Sequence, residues 1–142
     1  MPYLKTYDIF ISHAWKYGDN YEKLTTLLDN ADYFKYRNYS APKDKPLQNL
    51  DSTNPNTVKE IKSAIDRKIK NVNIVVVISG MYAAYSRWMS YEIESANKFH
   101  KPIIAIKPRG NQRTPLEVSS NSLEIVNWNT NSIVSAIRKH SL

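Results

Sequence analysis

Apolar and polar positions along this chain switch repeatedly between a period of about two and a period of about 3.6 residues. Tyr7-Asp8-Ile9-Phe10-Ile11-Ser12 is a β-rich apolar run ending at polar His13, which predicts a buried strand. From about Asn20 the spacing turns helical, with Tyr21, Leu24, Leu27, Leu28 and Ala31 along one stripe. Tyr36 to Ser40 predicts a short strand near a sheet edge, and the polar, proline-containing stretch from Ala41 to Thr53 predicts a long loop. Asn54-Pro55 supplies an N-cap and a first-turn proline for a helix carrying Val58, Ile61, Ile65 and Ile69. Val72 to Ser79 is almost continuously β-branched, as expected of a central strand buried on both faces, and Gly80 ends it. A helix from about Ser86 to His100 leads into a further buried strand, Pro102 to Lys107, which stops at Pro108-Arg109-Gly110. A weak strand at Glu124-Ile125-Val126 precedes a last helix near Asn131 to Lys139 carrying Ile133, Val134 and Ile137.

Strands alternating with helices imply right-handed βαβ units and a parallel sheet covered on both faces. In such a sheet, ligands bind beyond the carboxyl ends of the strands, near the point where strand order reverses. Three segments are expected to leave the sheet on that side: Ser12-His13-Ala14-Trp15, Ser79-Gly80-Met81-Tyr82 and Lys107-Pro108-Arg109-Gly110. Polar and aromatic side chains from all three could converge there.

Composition narrows the picture. The 142 residues fit one domain over 1–142, and a domain of that size buries roughly 70% of its unfolded surface. With no cysteine there is no disulfide framework, no thiolate metal site and no cysteine nucleophile. The N-terminus lacks the basic-then-apolar order of a signal peptide, and no apolar run approaches the roughly 20 residues of a membrane span. A cytoplasmic protein with no membrane partner is expected. The 20 Lys+Arg outnumber the 13 Asp+Glu to give +7, but the basic residues are scattered, as on a solvated face. Net charge alone supports nucleic acid as a partner, and that reading is disfavoured.

Few residues offer chemistry. His100 and His140 have no neighbours at metal-ligand spacing, so neither a metal nor a resident cofactor is expected. The only glycines are Gly18, Gly80 and Gly110, so no glycine-rich phosphate loop exists. A phosphoacceptor aspartate is missing from the end of the third strand, where Ser79-Gly80 stands. Ser12 and His13, adjacent at a strand end, point to opposite faces and do not make a nucleophile pair. The helix after Gly80 is more informative. Met89, Ile93 and Ala96 form its core stripe, while Trp88 and Glu92, four residues apart, share a second face that Ser95 extends. An aromatic platform beside a carboxylate suits a nucleotide base. From spacing alone, however, the pair reads first as a tryptophan packed at the domain edge and a solvated glutamate.

Several segments together resemble TIR domains. Tyr7-Asp8-Ile9-Phe10-Ile11-Ser12-His13-Ala14 is similar to their first box, and Ser86-x-Trp88-x-x-x-Glu92 is similar to the helix motif bearing their catalytic glutamate. Asn38-Tyr39-Ser40, Gly80-Met81-Tyr82, Lys101-Pro102-Ile103-Ile104 and Trp128 to Val134 resemble, more narrowly, the TIR-like family that includes the Thoeris antiphage proteins. The chain departs from many TIR domains at Met89, where they have cysteine. It departs again at Ala41-Pro42-Lys43-Asp44-Lys45-Pro46, where the usual arginine-aspartate and proline-glycine signature is missing.

The resemblance implies a flavodoxin-like, TIR-type three-layer α/β sandwich around a mainly parallel five-stranded sheet. It implies an enzyme that cleaves NAD+, its substrate, releases nicotinamide and forms an ADP-ribose-derived signal, often a cyclic isomer. That signal would activate a separate effector protein, and the enzyme would self-associate when active. Carried over by position, Glu92 is the catalytic residue, and Ser12, His13, Ala14, Trp15, Tyr82, Ser86 and Trp88 border the nucleotide. A glutamate with the ordinary pKa of about 4.3 would already be ionised at neutral pH and ready to stabilise positive charge on the ribose. The alternative is a TIR module that recruits protein partners without catalysis.

Overall fold

The computed structural model describes residues 5–12, 20–39, 54–78, 87–107 and 116–142. In chain order the elements are β1 (Thr6–Ser12), α1 (Asn20–Asp29), β2 (Lys35–Asn38), α2 (Pro55–Lys70), β3 (Ile74–Ile78), α3 (Arg87–Lys98), β4 (Ile103–Lys107), α4 (Leu116–Asn121), β5 (Glu124–Asn127) and α5 (Thr130–His140). The strands form one sheet in the order β2-β1-β3-β4-β5, and every pairing is parallel. Strand order therefore reverses between β1 and β3, where Ser12 lies in register with Val77.

The alternation of side chains along each strand divides the core into two layers. Ile9 and Ile11 of β1 join Ile74, Val76 and Ile78 of β3 against Leu24 and Leu28 of α1 and the Ile133, Val134 and Ile137 stripe of α5. Phe10, Val75 and Val77 face the other way, against Ile61, Ile65 and Ile69 of α2 and Met89, Ile93 and Ala96 of α3. All five residues of β3 are buried, which explains its unbroken apolar run: no position faces water. The result is a flavodoxin-like three-layer α/β sandwich. Met89, at the position where many TIR domains have cysteine, is buried as a core residue.

Local chemistry sets the helix ends. Asn54, in extended conformation, accepts from the backbone N–H of Asn56 (2.9 Å) and Thr57 (3.4 Å), and Pro55 opens α2. The helix bearing Trp88 and Glu92 stops at Lys98, short of His100. His100 itself takes φ 56°, its N–H donates to Asn97 O, and Lys101 N donates to Ala96 O at 2.8 Å. This paired closure is a left-handed C-cap usually built on glycine. The six-residue α4 carries no signal in the sequence pattern: among its described side chains only Val118 is buried, and a single apolar contact cannot establish a 3.6-residue period. Among the described residues no helix is long and apolar enough to cross a membrane.

Candidate functional site

Two periodicities bring the site together. On β1, Ser12 has the same parity as Phe10, so it faces the α2/α3 layer at the carboxyl end of the strand, and it is fully buried. On α3, successive side chains lie about 100° apart. Ile93 faces the sheet, and Tyr91 reaches Asp66 on α2. Glu92, between them in sequence, points into the corner between the sheet and α2. There the Ser12 hydroxyl donates a 2.6 Å hydrogen bond to Glu92 Oε1 across 80 positions of sequence. A hydroxyl buried at a strand end must find a partner, and the carboxyl is that partner.

The corner changes the acidity of Glu92. Burial disfavours the carboxylate and pushes its pKa up to about 8, although the Ser12 hydrogen bond and the positive charge of Lys68 act in the opposite direction. Lys68, half-buried near the end of α2, is affected reciprocally: burial lowers its pKa, and the charge of Glu92 opposes that. The sequence-based expectation of an ordinary, fully ionised glutamate is thus corrected. A residue off the core stripe is not thereby in water, because α2 covers that flank of α3. Burial therefore holds Glu92 in its protonated form to higher pH than an ordinary glutamate.

Of the residues the sequence singles out, Ser12 and Glu92 meet. Trp88 lies in the first turn of α3, but its side chain is outside the described residues, as are His13, Ala14, Trp15, Tyr82 and Ser86. Ser95 was expected to extend the face of Trp88 and Glu92. Like Glu92 it turns toward α2, where it is fully buried, its hydroxyl donating to Asp66 Oδ1 at 2.6 Å. Two residues of consequence, Asp66 and Lys68, escape sequence reasoning. Lys68 is one of many lysines. Asp66 leaves a faint trace as the only carboxylate in the basic run from Lys62 to Lys70. Among the described residues no three His, Asp or Glu side chains are grouped to hold a metal ion.

This arrangement can present a carboxyl that changes charge near neutral pH, at the end of a parallel sheet where ligands bind. A family model for the TIR-like domain of the Thoeris protein ThsB matches residues 10–113, a span that includes both Ser12 and Glu92. Curated protein sequences give no significant match. Among solved structures, a 2-deoxyribosyltransferase from the psychrotolerant bacterium Bacillus psychrosaccharolyticus superposes with a TM-score of 0.63 at 12% identity, covering 92% of this chain and 95% of its own. The Clostridium botulinum CMP N-glycosidase BcmB gives a TM-score of 0.52 at 12% identity, covering 92% of this chain and 98% of its own. At such identity the likeness is one of fold.

Proposed function

Because this chain belongs to the Thoeris ThsB TIR-like domain family, we propose that it is an enzyme that cleaves the nicotinamide-ribose bond of NAD+, with Glu92 as the catalytic carboxyl. Membership of the family supports a role in antiphage defence. The observation that carries the enzymatic reading is the Ser12–Glu92 hydrogen bond at the carboxyl end of β1, beside the reversal of strand order. The two solved structures with this fold are named for chemistry on nucleosides and nucleotides. In the proposed reaction the bond broken is of the same ribosyl-to-base kind.

The nicotinamide ring of NAD+ is cationic. When its bond to the ribose C1′ breaks, the electron pair goes to the ring nitrogen, nicotinamide leaves neutral, and the positive charge passes to the ribose. A carboxylate beside that carbon stabilises the developing charge most where it is greatest, in the transition state. Burial in the free protein favours the protonated form of Glu92, and the arriving nicotinamide cation favours its ionised form, so substrate binding expels a proton to solvent. Ser12 orients the carboxyl. In this reading His13, Ala14, Trp15, Tyr82, Ser86 and Trp88 border the nucleotide. Attack on C1′ by a base or hydroxyl of the same dinucleotide gives a cyclic ADP-ribose isomer, the proposed messenger to a separate effector protein. Attack by water gives ADP-ribose, and exclusion of water favours the cyclic outcome.

The test is nicotinamide release from NAD+ by purified protein, followed chromatographically under conditions that drive self-association, with mass spectrometry of the second product. Glu92→Gln, nearly isosteric, should fold normally and lose at least about a hundredfold in rate, the scale of removing one preorganised electrostatic group. A Gln variant as active as wild type would refute the assignment. Self-associated wild type that releases no nicotinamide would point to the non-catalytic recruitment module.

A further inference from the structure

Beside the reactive corner, a set of polar side chains ties α2 to α3. Asp66 of α2 accepts from the Ser95 hydroxyl (2.6 Å) and the Tyr91 hydroxyl (2.9 Å) on Oδ1, and from Tyr91 (3.0 Å) and Lys98 Nζ (3.2 Å) on Oδ2. Lys62, one turn earlier on α2, sets its ammonium 5.1 Å from the centre of the Tyr91 ring. These contacts share one polar seam. Tyr91 and Ser95 are one helical turn apart, and Glu92 lies within that turn.

In the apolar stripe of α3, Ile93 is the one stiff, fully buried side chain, and a single such anchor leaves the polar seam to share in fixing the roll of the helix. Met89 is flexible and adaptable, and Ala96 offers little side chain to interlock. With side chains reaching about 5–6 Å from a helix axis, a roll of about 10° moves a carboxyl by about 1 Å. That is enough to break a hydrogen bond of 2.6 Å. A misplacement of about 1 Å in a catalytic group can cost on the order of a hundredfold in rate.

We propose that Asp66 is a positioning residue of the site: by accepting hydrogen bonds from Tyr91 and Ser95, which bracket Glu92, it fixes the roll of α3 that brings the Glu92 carboxyl to Ser12. The inference rests on the reading of Glu92 as the reactive carboxyl, but its core is a claim about geometry that does not require turnover. Asp66 suits the task because its carboxylate is dependably charged. Burial alone would raise its pKa, but the bonds from Ser95, Tyr91 and Lys98, together with the lysine's charge, hold it below the usual value. The seam therefore stays intact as Glu92 gains and loses its proton. The groups that bear on Glu92 from the packed elements are Ser12 from β1 and Lys68 from α2.

The test is a double-mutant cycle read on Glu92 itself. The carboxyl carbon of Glu92, labelled with carbon-13 and identified by the resonance missing in Glu92→Gln, is titrated by NMR in wild type, Ser12→Ala, Asp66→Asn and the double variant. In the wild-type background, Ser12→Ala should raise the Glu92 midpoint, because a hydrogen bond to the charged form is lost. In the Asp66→Asn background the same change should have no effect, because the carboxyl no longer reaches Ser12. The direct influence of the Asp66 charge is additive and cancels in the cycle. An equal Ser12 effect in both backgrounds would overturn the proposal and leave Asp66 a stability residue.

Tyr91→Phe with Ser95→Ala removes the two α3 hydroxyl donors that bracket Glu92 while retaining Asp66 and its contact with Lys98, and supplies the same cycle should Asp66→Asn fail to fold. NAD+ cleavage by the same proteins should show kcat reduced tenfold or more in Asp66→Asn with KM changed less than twofold. If the cycle shows coupling and no protein releases nicotinamide, positioning stands and the NAD+ reading falls.

Discussion

Glu92 joins acid–base behaviour to recognition of a cation. If its ionised form is the active one, kcat/KM for NAD+ should climb with pH and reach half its plateau near pH 8, the pKa of the free protein. kcat should reach half-maximum at lower pH, because the bound nicotinamide cation favours the carboxylate. Lys68 also favours the carboxylate, so Lys68→Met should move the kcat/KM midpoint above that of wild type. Steady-state rates over pH 5.5–9.5 decide both points. A flat profile in the wild type would mean that Glu92 does not titrate in this range, and a downward shift in Lys68→Met would contradict the charge coupling. The motif resemblance assigned Ser12 and Glu92 to one site, but the hydrogen bond between them was not legible, because it joins residues 80 positions apart. Nor was the pKa, because it depends on α2 covering the flank of α3, a contact between elements about 25 residues apart that no local pattern encodes.

At the scale of elements, the strands and long helices follow from period, capping and β-branching. β3 had to be central because its residues leave no side for water, and α2 had to begin at Asn54-Pro55 because a cap and a first-turn proline coincide there. The end of α3 was less legible, because the residue in the left-handed cap is histidine, where glycine would have signalled it. That substitution has an energetic consequence. A residue with a Cβ in the left-handed region gives up roughly 1–2 kcal/mol relative to its preferred conformation, partly offset by the greater freedom of glycine in the unfolded chain. His100→Gly should therefore stabilise the protein by about 0.5–1 kcal/mol and raise the melting temperature by a few degrees. His100 is exposed, so no core contact is lost with it. An unchanged or lower melting temperature would show that the histidine side chain contributes more than its backbone conformation costs. α4 lay beyond reach for the opposite reason: six residues, with one buried contact among the described side chains, are too little pattern to read.

For the whole molecule, holding a carboxyl in the corner between α2, α3 and the sheet links stability to pH. In the unfolded chain Glu92 has its ordinary pKa of 4.5, and in the folded protein it is pushed up to about 8. Between those values the unfolded chain has released a proton that the folded protein retains. The slope of stability with pH is then negative: the contribution is fully present below about 4.5 and declines until the folded protein also ionises near 8. At about 1.4 kcal/mol per pH unit, the loss across this window is on the order of a few kcal/mol. Glu92→Gln removes this dependence while keeping an oxygen able to accept from Ser12. At pH 5 the variant and wild type should melt within about a degree of each other, whereas at pH 8.5 the variant should melt several degrees higher. Thermal melts across pH measure the difference directly and need no substrate, messenger or activating partner. Equal differences at both pH values would mean that Glu92 ionises alike in folded and unfolded chains, which would remove the physical basis for both its pH-dependent activity and its release of a proton on binding NAD+. A variant that gains stability at alkaline pH while losing nicotinamide release would show that the protein gives up stability to keep an ionisable group at the end of its sheet, a cost expected of a reactive site and not of a structural one.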